Sequence, residues 1–338
     1  MSISTSPARV FFLLSTILGT MIATSSSSWL TCWMGLELNL LSFIPLMSST
    51  HNLYKSEAAL KYFLIQALGS AIILCWASAL IFLSQENADT ILLMAIFLKL
   101  GAAPFYLWLP SVMQGLAWPQ CLLLMTLQKV APLMLMSYLT LSPNLYLMIY
   151  LSSITSALIG GIGGMNQTLV RKMMAYSSIN HIGWMLGVIP FSLWSTMNYF
   201  LIYTLVTTSV VVIFNLYQIF HISNIISSST FSPKIQLTLF MAMLSLAGLP
   251  PFLGFFPKLL VASNLCGQQN VAWALMLIMS ALLTLFFYLR VLLFSLTLST
   301  PKVKFNLFPN LAPLTLPLLV GLTNFTPMLG PLLTFPPY

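Results

Sequence analysis

Three lysines and one glutamate lie near the middle of hydrophobic segments that otherwise lack charge: Glu37, Lys99, Lys129 and Lys258. A charged side chain at the centre of a lipid-embedded helix costs roughly 2.5–3.5 kcal/mol on insertion scales. Such residues face a bundle interior or a hydrated cavity and often mark an ion or proton path. A lysine can also extend along its own stem to the headgroups, but that arrangement suits residues near the ends of a span. The four positions therefore favour an ion or proton path.

A proton relay needs groups that gain and lose a proton at working pH. Burial favours the neutral form of a lysine, and a nearby carboxylate favours the ammonium. At an effective dielectric constant of about 20, moving the carboxylate by a few ångströms changes this interaction by several kcal/mol. Movement of Glu37 towards or away from Lys99 would therefore load or unload that lysine. Lys129 and Lys258 would pass the proton onward through water and hydroxyl groups.

The composition is that of a membrane protein. Hydrophobic residues make up 59% of the chain and charged residues 5%, whereas soluble chains carry about 25% charged residues. The net charge of +8 comes from basic residues scattered between apolar segments, with no basic and aromatic stripe of the kind that binds nucleic acid. The four cysteines include no pair spaced for a metal site. We interpret them as small buried apolar residues.

The elements that must position the charged residues are membrane-spanning helices. A span takes about 20 apolar residues, and on that length about eleven segments can be drawn. The sequence thus predicts an all-α polytopic membrane protein with a single transmembrane domain over residues 1–338. The predicted segments are 8–24, 28–48, 60–83, 90–110, 119–140, 144–164, 169–190, 194–221, 235–263, 271–298 and 308–333.

The basic residues between the segments set the orientation. They lie at the N-terminus and after the even-numbered segments, whereas Glu86 and Asp89 lie after an odd-numbered one. Basic loops face the side of synthesis, so the N-terminus is predicted on that side and the C-terminus on the opposite side. The basic residues concerned are Arg9, Lys55, Lys61, Arg171, Lys172, Lys234, Lys302 and Lys304.

Two segments share the pattern Gly-x-x-Pro-Phe, at 101–105 and at 248–252, and each has a lysine nearby. Proline removes a helical hydrogen bond and clashes with the preceding turn. The two segments cross the membrane in opposite directions, and paired broken helices in inverted halves are typical of an ion path through a transporter. Simple proline kinks are also common in membrane helices, and a repeated pattern of five residues can arise by chance.

Several longer stretches resemble the antiporter-like subunits of respiratory NADH–ubiquinone oxidoreductase, in particular the chain 2 family of mitochondria. The resemblance covers about residues 9–298 and rests on specific motifs rather than on composition. These motifs are Trp33-Met34-Gly35-Leu36-Glu37-Leu38-Asn39, Glu57-Ala58-Ala59-Leu60-Lys61-Tyr62-Phe63, Lys99-Leu100-Gly101-Ala102-Ala103-Pro104-Phe105, Gln128-Lys129-Val130-Ala131-Pro132, Gly163-Gly164-Met165-Asn166-Gln167-Thr168, Arg171-Lys172-Met173-Met174-Ala175-Tyr176-Ser177-Ser178-Ile179 and Leu246-Ala247-Gly248-Leu249-Pro250-Pro251-Phe252-Leu253-Gly254-Phe255 with Pro257-Lys258.

The resemblance implies two inverted five-helix repeats, each with one discontinuous helix. They would cover about 8–140 and about 144–298, followed by a C-terminal helix at about 308–333. It further implies a proton-translocating membrane subunit that couples electron transfer on partner subunits to proton pumping, and so an enzyme only as part of the assembly. The family's proton-handling residues match Glu37, Lys61, Lys99, Lys129 and Lys258.

The chain contains neither a cysteine cluster for an iron–sulfur centre nor a dinucleotide fingerprint. The resemblance places FMN, iron–sulfur clusters and ubiquinone on other subunits, so no cofactor and no metal is expected on this chain. The partners it implies are other membrane subunits, including sister antiporter-like subunits, and membrane lipid such as cardiolipin, with no nucleic acid. The implied location is the mitochondrial inner membrane, with the N-terminus in the matrix and the C-terminus facing the intermembrane space.

Two functional alternatives remain at this point, and some residues have two interpretations. The alternatives are an autonomous cation/proton antiporter and a structural spacer whose charges are relics.

His181 is either a relay member, since imidazole shuttles protons near neutral pH, or a histidine bonded to a neighbouring polar residue. On sequence alone, Lys61 would extend to the headgroups, and Arg290 is interpreted as structural. The glycines at 160–164 predict close helix packing or a tight turn.

Overall fold

The computed structural model describes residues 7–49, 52–82, 85–139, 142–227 and 233–297. Within these ranges the regular secondary structure consists of helices, joined by turns and loops, with one isolated β-bridge between Leu169 and His221. The helices follow one another without a sheet, as the all-α prediction requires. They are α1 Pro7–Ser25, α2 Trp29–Met47, α3 Leu53–Phe82, α4 Gln85–Leu100, α5 Trp108–Gly115, α6 Trp118–Met125, α7 Leu127–Ser137, α8 Pro143–Met165, α9 Val170–Val188, α10 Leu193–Leu216, α11 Ile222–Ser227, α12 Pro233–Ala247, α13 Phe255–Gly267 and α14 Val271–Thr297.

Seven stretches of the described chain are long and apolar enough to cross a membrane: α1, α2, most of α3, α6 together with α7, α8, α10 and most of α14. Each predicted segment up to 271–298 coincides with one helix or with a pair of consecutive helices. The last predicted segment, 308–333, lies outside the described residues. The chain is therefore a multi-pass membrane protein.

The first Gly-x-x-Pro-Phe sequence interrupts a helix, as its pattern predicted. α4 ends at Leu100, and the next residue, Gly101, has its backbone in the left-handed region at φ +72°. The amide of Gly101 donates to the carbonyl of Leu98 at 3.3 Å, and the amide of Ala102 donates to the carbonyl of Phe97 at 3.1 Å. This pair of bonds is the Schellman arrangement, which ends a helix where a glycine permits positive φ. The chain becomes helical again only at α5, beyond Pro104.

The second sequence ends α12 in the same way. Gly248 has φ +76°. Its amide donates to the carbonyl of Ser245 at 3.1 Å, and the amide of Leu249 donates to the carbonyl of Leu244 at 3.4 Å. Helix resumes at α13, beyond Pro251. The peptide bonds before Pro104 and Pro251 are both cis. The shared sequence pattern thus corresponds to a shared backbone arrangement.

Two predicted helices differ from the structure. The segment 119–140 is interrupted at Thr126, whose hydroxyl donates to the carbonyl of Leu122 at 2.8 Å. A threonine that bonds back to the preceding turn bends its helix. The segment 194–221 ends at Leu216 instead, because the chain turns at Gln218, with φ +50°, and runs to the bridge at His221.

The chain divides into two compact units at Ser156 and Ala157, within α8. In the first unit, α1 and α2 pack backbone to backbone: a methyl group on Gly35 would lie 2.6 Å from the amide nitrogen of Ala23. In the second unit, α9 packs as closely on the end of α8, and a methyl group on Gly160 would lie 2.5 Å from the amide nitrogen of Asn180. This contact confirms the close packing predicted for the glycines at 160–164.

Candidate functional site

The three lysines in the apolar segments are buried in the protein. The exposed fraction is 7% for Lys99, 2% for Lys129 and 7% for Lys258. None of them can reach the headgroups along its stem, which was the alternative to a functional role. Since an intramembrane ionisable group faces the bundle interior or a cavity when it has a function, the surroundings of each lysine decide what it can do.

In the first unit, Lys99 borders a small cavity, called here the Lys99 cavity. The volume open to the centre of a water molecule is about 10 Å³, which accommodates about one water. Five of the lining residues are polar or charged: Asn39, Tyr62, Gln66, Lys99 and Gln128. The lining residues are Leu36, Asn39, Leu40, Tyr62, Gln66, Lys99, Gln128 and Pro132.

The polar side chains of the Lys99 cavity are joined by hydrogen bonds. The hydroxyl of Tyr62 donates to Gln128 Oε1 at 3.1 Å, and Gln128 Nε2 donates to Asn39 Oδ1 at 2.8 Å. Gln66 Nε2 donates to the carbonyl oxygen of Lys99 at 3.3 Å. Because Pro132 has no N–H, it offers no helical bond to the carbonyl of Gln128. The cavity is therefore polar enough to hold water beside the ammonium of Lys99.

Glu37 is half-buried on α2. Glu37 and Lys99 do not form an ion pair within 4.0 Å. One carboxylate oxygen of Glu37, Oε2, is buried without a hydrogen-bond partner among the residues that the structure describes. A buried oxygen of this kind favours a proton or a water molecule as its partner. The predicted proximity of the Glu37 and Lys99 charges stays a prediction.

Lys129 and Lys61 have different surroundings. Lys129 lies on α7 just after the interruption at Thr126, and its amide donates to the Thr126 carbonyl at 3.1 Å. Lys61 lies on the surface of α3, where its ammonium is 2.6 Å from the carboxylate of Glu57, with the two side chains 48% and 59% exposed. The next residue, Tyr62, lines the Lys99 cavity in its place. Neither Glu37 nor Lys61 lines the Lys99 cavity.

In the second unit, Lys258 is tied to the break between α12 and α13. Its Nζ donates to the carbonyl oxygen of Ala247 at 2.7 Å, and it lies 5.8 Å from the ring centroid of Trp184. Gly248 makes this contact possible, because a methyl group there would lie 2.9–3.0 Å from the end of the lysine side chain. The interrupted helix thus supplies the acceptor for the buried ammonium.

His181 lies on α9 in the same unit and is 7% exposed. Its Nδ1 is 2.9 Å from the hydroxyl of Tyr199, and its ring centroid is 4.9 Å from that of Tyr203. These three residues line a second cavity of about 10 Å³, whose other polar group is Ser245. Pro257, the neighbour of Lys258, also lines it. His181 is therefore hydrogen-bonded to a tyrosine, which the sequence interpretation did not name as a partner.

The polar partners of the lysines were not predicted from the sequence. Gln66 and Gln128 are uncharged amides within apolar segments, and that rarity is the signal that could have identified them. Tyr199 and Tyr203 are four residues apart, so they share a helix face, but tyrosine is too common in membrane helices to stand out. Arg290 has the structural role that was predicted for it. One terminal nitrogen donates to the carbonyl of Met165, the last residue of α8, and the other donates to the carbonyl of Gln167.

The sequence matches the family described as "NADH:quinone oxidoreductase/Mrp antiporter, TM" over residues 26–90 and 83–285. A relative from Anopheles gambiae named NADH-ubiquinone oxidoreductase chain 2 is 47% identical over 287 residues, which cover 82% of this chain and 83% of the relative. A relative of the same name from Gallus gallus is 40% identical over 308 residues, covering 88% of each chain.

Among solved structures, the fold is similar to a chain of respiratory complex I from Thermus thermophilus with bound Aureothin. The TM-score is 0.84 at 24% sequence identity, and the match covers 97% of this chain and 78% of that chain. At this identity the likeness concerns the fold alone. It agrees with the helical architecture described above.

Proposed function

The chain belongs to the NADH-ubiquinone oxidoreductase chain 2 family, and we propose on that basis that it is a proton-translocating membrane subunit of respiratory NADH:ubiquinone oxidoreductase. Electron transfer takes place on partner subunits, and this chain moves protons in response. The observation that carries the proposal is the burial of Lys99, Lys129 and Lys258 in a chain with so few charges. Each buried charge costs several kcal/mol, and a function explains its presence.

The proposed relay has one centre in each unit. In the first unit it comprises Glu37, Lys99 and Lys129, with water in the Lys99 cavity as the mobile carrier. A carboxylate approaching an ammonium favours the charged form, and its withdrawal favours release of the proton. Since Glu37 and Lys99 form no ion pair within 4.0 Å in this structure, a movement of α2 that brings the two charges together would load the lysine. Lys61, which pairs with Glu57 on the surface, is a predicted outer member of this centre.

In the second unit the centre comprises Lys258 and His181. The carbonyl of Ala247 holds the ammonium of Lys258 and cannot itself accept its proton. An imidazole can do so, and the His181 ring lines the cavity together with Tyr199 and Tyr203. The hydroxyls of Tyr199 and Tyr203 extend the polar lining around it.

Two inverted five-helix repeats, at about 8–140 and about 144–298, are part of the proposal. Their support is the repeated Schellman ending at Gly101 and Gly248. A second repeated feature is a close helix contact: a methyl group on Gly19 would meet the amide nitrogen of Asn39 at 2.8 Å, as one on Gly160 would meet that of Asn180. The glycine and the asparagine have the same spacing in both units. The helix proposed at 308–333 lies outside the described residues.

The family also suggests the surroundings of the chain. We place it in the mitochondrial inner membrane, with its N-terminus in the matrix and its C-terminus facing the intermembrane space. Its neighbours there are other membrane subunits, including sister antiporter-like subunits, and lipid such as cardiolipin. FMN, iron–sulfur clusters and ubiquinone belong to other subunits of the assembly.

An autonomous cation/proton antiporter is the second candidate function, because the matching family description includes the Mrp antiporters. The purified chain alone in liposomes should show no exchange of Na⁺ or K⁺ for protons, since the driving reaction lies on other subunits. Fluorescence of an internal pH dye after a cation pulse measures this, with helix content by circular dichroism as the control for folding. Exchange by the chain alone would favour the antiporter.

The role of His181 is tested through its partner. Tyr199→Phe keeps the ring and removes the hydroxyl 2.9 Å from Nδ1. A hydrogen bond contributes about 0.5–1.5 kcal/mol, so proton pumping per NADH should fall roughly two- to tenfold in the assembled complex. Tyr54→Phe, at a tyrosine that is 76% exposed, is the matched control. Unchanged pumping in Tyr199→Phe would remove His181 from the relay.

A further inference from the structure

The second unit, Ala157–Tyr338, contains no aspartate and no glutamate. All four acidic residues of the chain, including Glu37, lie in the first unit. Lys258 is nevertheless buried in the second unit, with an exposed fraction of 7%. A buried ammonium needs partners that compensate for its lost hydration. Because no carboxylate side chain is available within the unit, only neutral groups of the unit can stabilise this charge.

One neutral group is the carbonyl oxygen of Ala247, which accepts from Nζ of Lys258 at 2.7 Å. An ammonium has three N–H donors and a full charge, so a single carbonyl satisfies only part of it. The other group is the indole ring of Trp184, on α9. Nζ lies over this ring, 5.8 Å from its centroid. The face of an aromatic ring attracts a cation within about 6 Å of the centroid, most strongly when the ring is tryptophan.

Trp184 is not explained by packing alone. It is 2% exposed, and its Nε1 is buried without a hydrogen-bond partner among the described residues. A buried N–H that lacks a partner costs free energy, and a buried tryptophan usually has one. Phenylalanine or leucine would fill space here without that cost. The attraction of an indole ring for a cation gives a physical reason for a tryptophan at this position.

The same helix carries the proton acceptor proposed for Lys258. His181 and Trp184 are three residues apart on α9, so their side chains are neighbours on one face of the helix. The cavity that His181 lines is also lined by Pro257, the neighbour of Lys258. α9 therefore combines a ring that attracts the ammonium with an imidazole that can accept its proton, about 4.5 Å apart along the helix axis.

We propose that Trp184 is a positioning residue for proton transfer in the second unit. Together with the Ala247 carbonyl, its ring holds the charged end of Lys258 at the helix break, which is the role proposed for the Glu37 carboxylate in the first unit. A ring face attracts the ammonium and not the neutral amine, so Lys258 is held while it carries the proton and released when the proton has left. The inference rests on the proposed function for the role of Lys258 in pumping.

The test compares two replacements of similar volume in the assembled complex, Trp184→Phe and Trp184→Met. Phenylalanine keeps a ring face and methionine does not. Proton pumping per NADH should fall less than about threefold in Trp184→Phe and about tenfold or more in Trp184→Met, since the attraction of a buried ring for a cation corresponds to a factor of this size. Trp194→Met, at a tryptophan of α10 that is 58% exposed, is the matched control and should pump normally.

Equal losses in the two variants would make Trp184 a packing residue and overturn the proposal. Normal pumping in both would overturn it as well, and would indicate that a carboxylate of a neighbouring subunit is the partner of the ammonium. Lys258→Met is measured beside them. Full pumping in Lys258→Met would overturn the proposed role of Lys258 and this inference with it, whereas a loss there beside normal pumping in Trp184→Met removes Trp184 alone.

Assembly supplies an independent measurement if Trp184→Met lowers the yield of complex. Adding Lys258→Met should then restore the yield on native gels, because the buried charge that requires the ring is gone. Loss of a packing residue would not be rescued by removal of a charge. A yield that stays low in the double variant would therefore contradict the proposal.

Discussion

Replacement of Lys99 by methionine is expected to stop proton pumping and to slow coupled NADH oxidation at least about tenfold, since a positioned proton-transfer group contributes roughly 10²–10⁴-fold to a rate. Methionine fills a similar volume, and the stem of Lys99 packs closely enough on α3 that a methyl group on Gly69 would lie 3.1 Å from it. Loss of the buried charge also removes its insertion cost. The complex should therefore assemble while its pumping fails.

The measurement is proton translocation per NADH oxidised in sealed vesicles, with assembly monitored by native gel electrophoresis. Lys55→Met is the control, because Lys55 lies in the first turn of α3 and does not line the Lys99 cavity. Lys61→Met is measured in the same experiment. Reduced pumping would indicate a relay member, whereas unchanged pumping would indicate half of a surface ion pair, whose contribution to stability is small. Full pumping by an assembled Lys99→Met complex would remove the centre of the proposed mechanism.

The helical framework was predictable because its physics is local. Apolar length defines a span, so each predicted segment up to 271–298 falls on one helix or on two consecutive helices, although α3 begins at Leu53, seven residues before the predicted start. Both interruptions were predictable for the same reason, since Gly and Pro act on their own backbone. The bend at Thr126 was not predicted, because a threonine bonds back to its helix at many positions without interrupting it.

The surroundings of the charged residues depend on contacts between helices and could not be predicted from spacing. The sequence singles out Lys99, but its amide partner, Gln66, lies on a different helix, and the cavity also needs Gln128 from a third. The same limit applies to Lys61 and Tyr62, which are adjacent in the chain. One faces the surface and the other lines the Lys99 cavity, because adjacent residues on a helix point in different directions.

The break at Gly248 offers a way to move a lysine without replacing it. Gly248→Ala should reduce pumping at least about tenfold, the loss expected when a proton-transfer group is displaced. Its new methyl group would lie 2.9–3.0 Å from Cδ, Cε and Nζ of Lys258. The lysine end is flexible and would shift, which breaks the 2.7 Å bond to the Ala247 carbonyl. The left-handed backbone at φ +76° adds roughly 1–2 kcal/mol of strain for alanine.

Pumping must be expressed per assembled complex, because the strain also lowers the amount of protein that folds. Gly267→Ala, on the same helix as Lys258, is the control, since nothing lies within 4 Å of its added methyl group. A double-mutant cycle with Lys258→Met then separates displacement from strain. If Gly248 acts through the ammonium, the two losses of pumping are not additive, since either change alone removes the same group from its position. Additive losses would mean that Gly248 matters only to the backbone of the break, and that the Ala247 carbonyl does not position Lys258 for proton transfer.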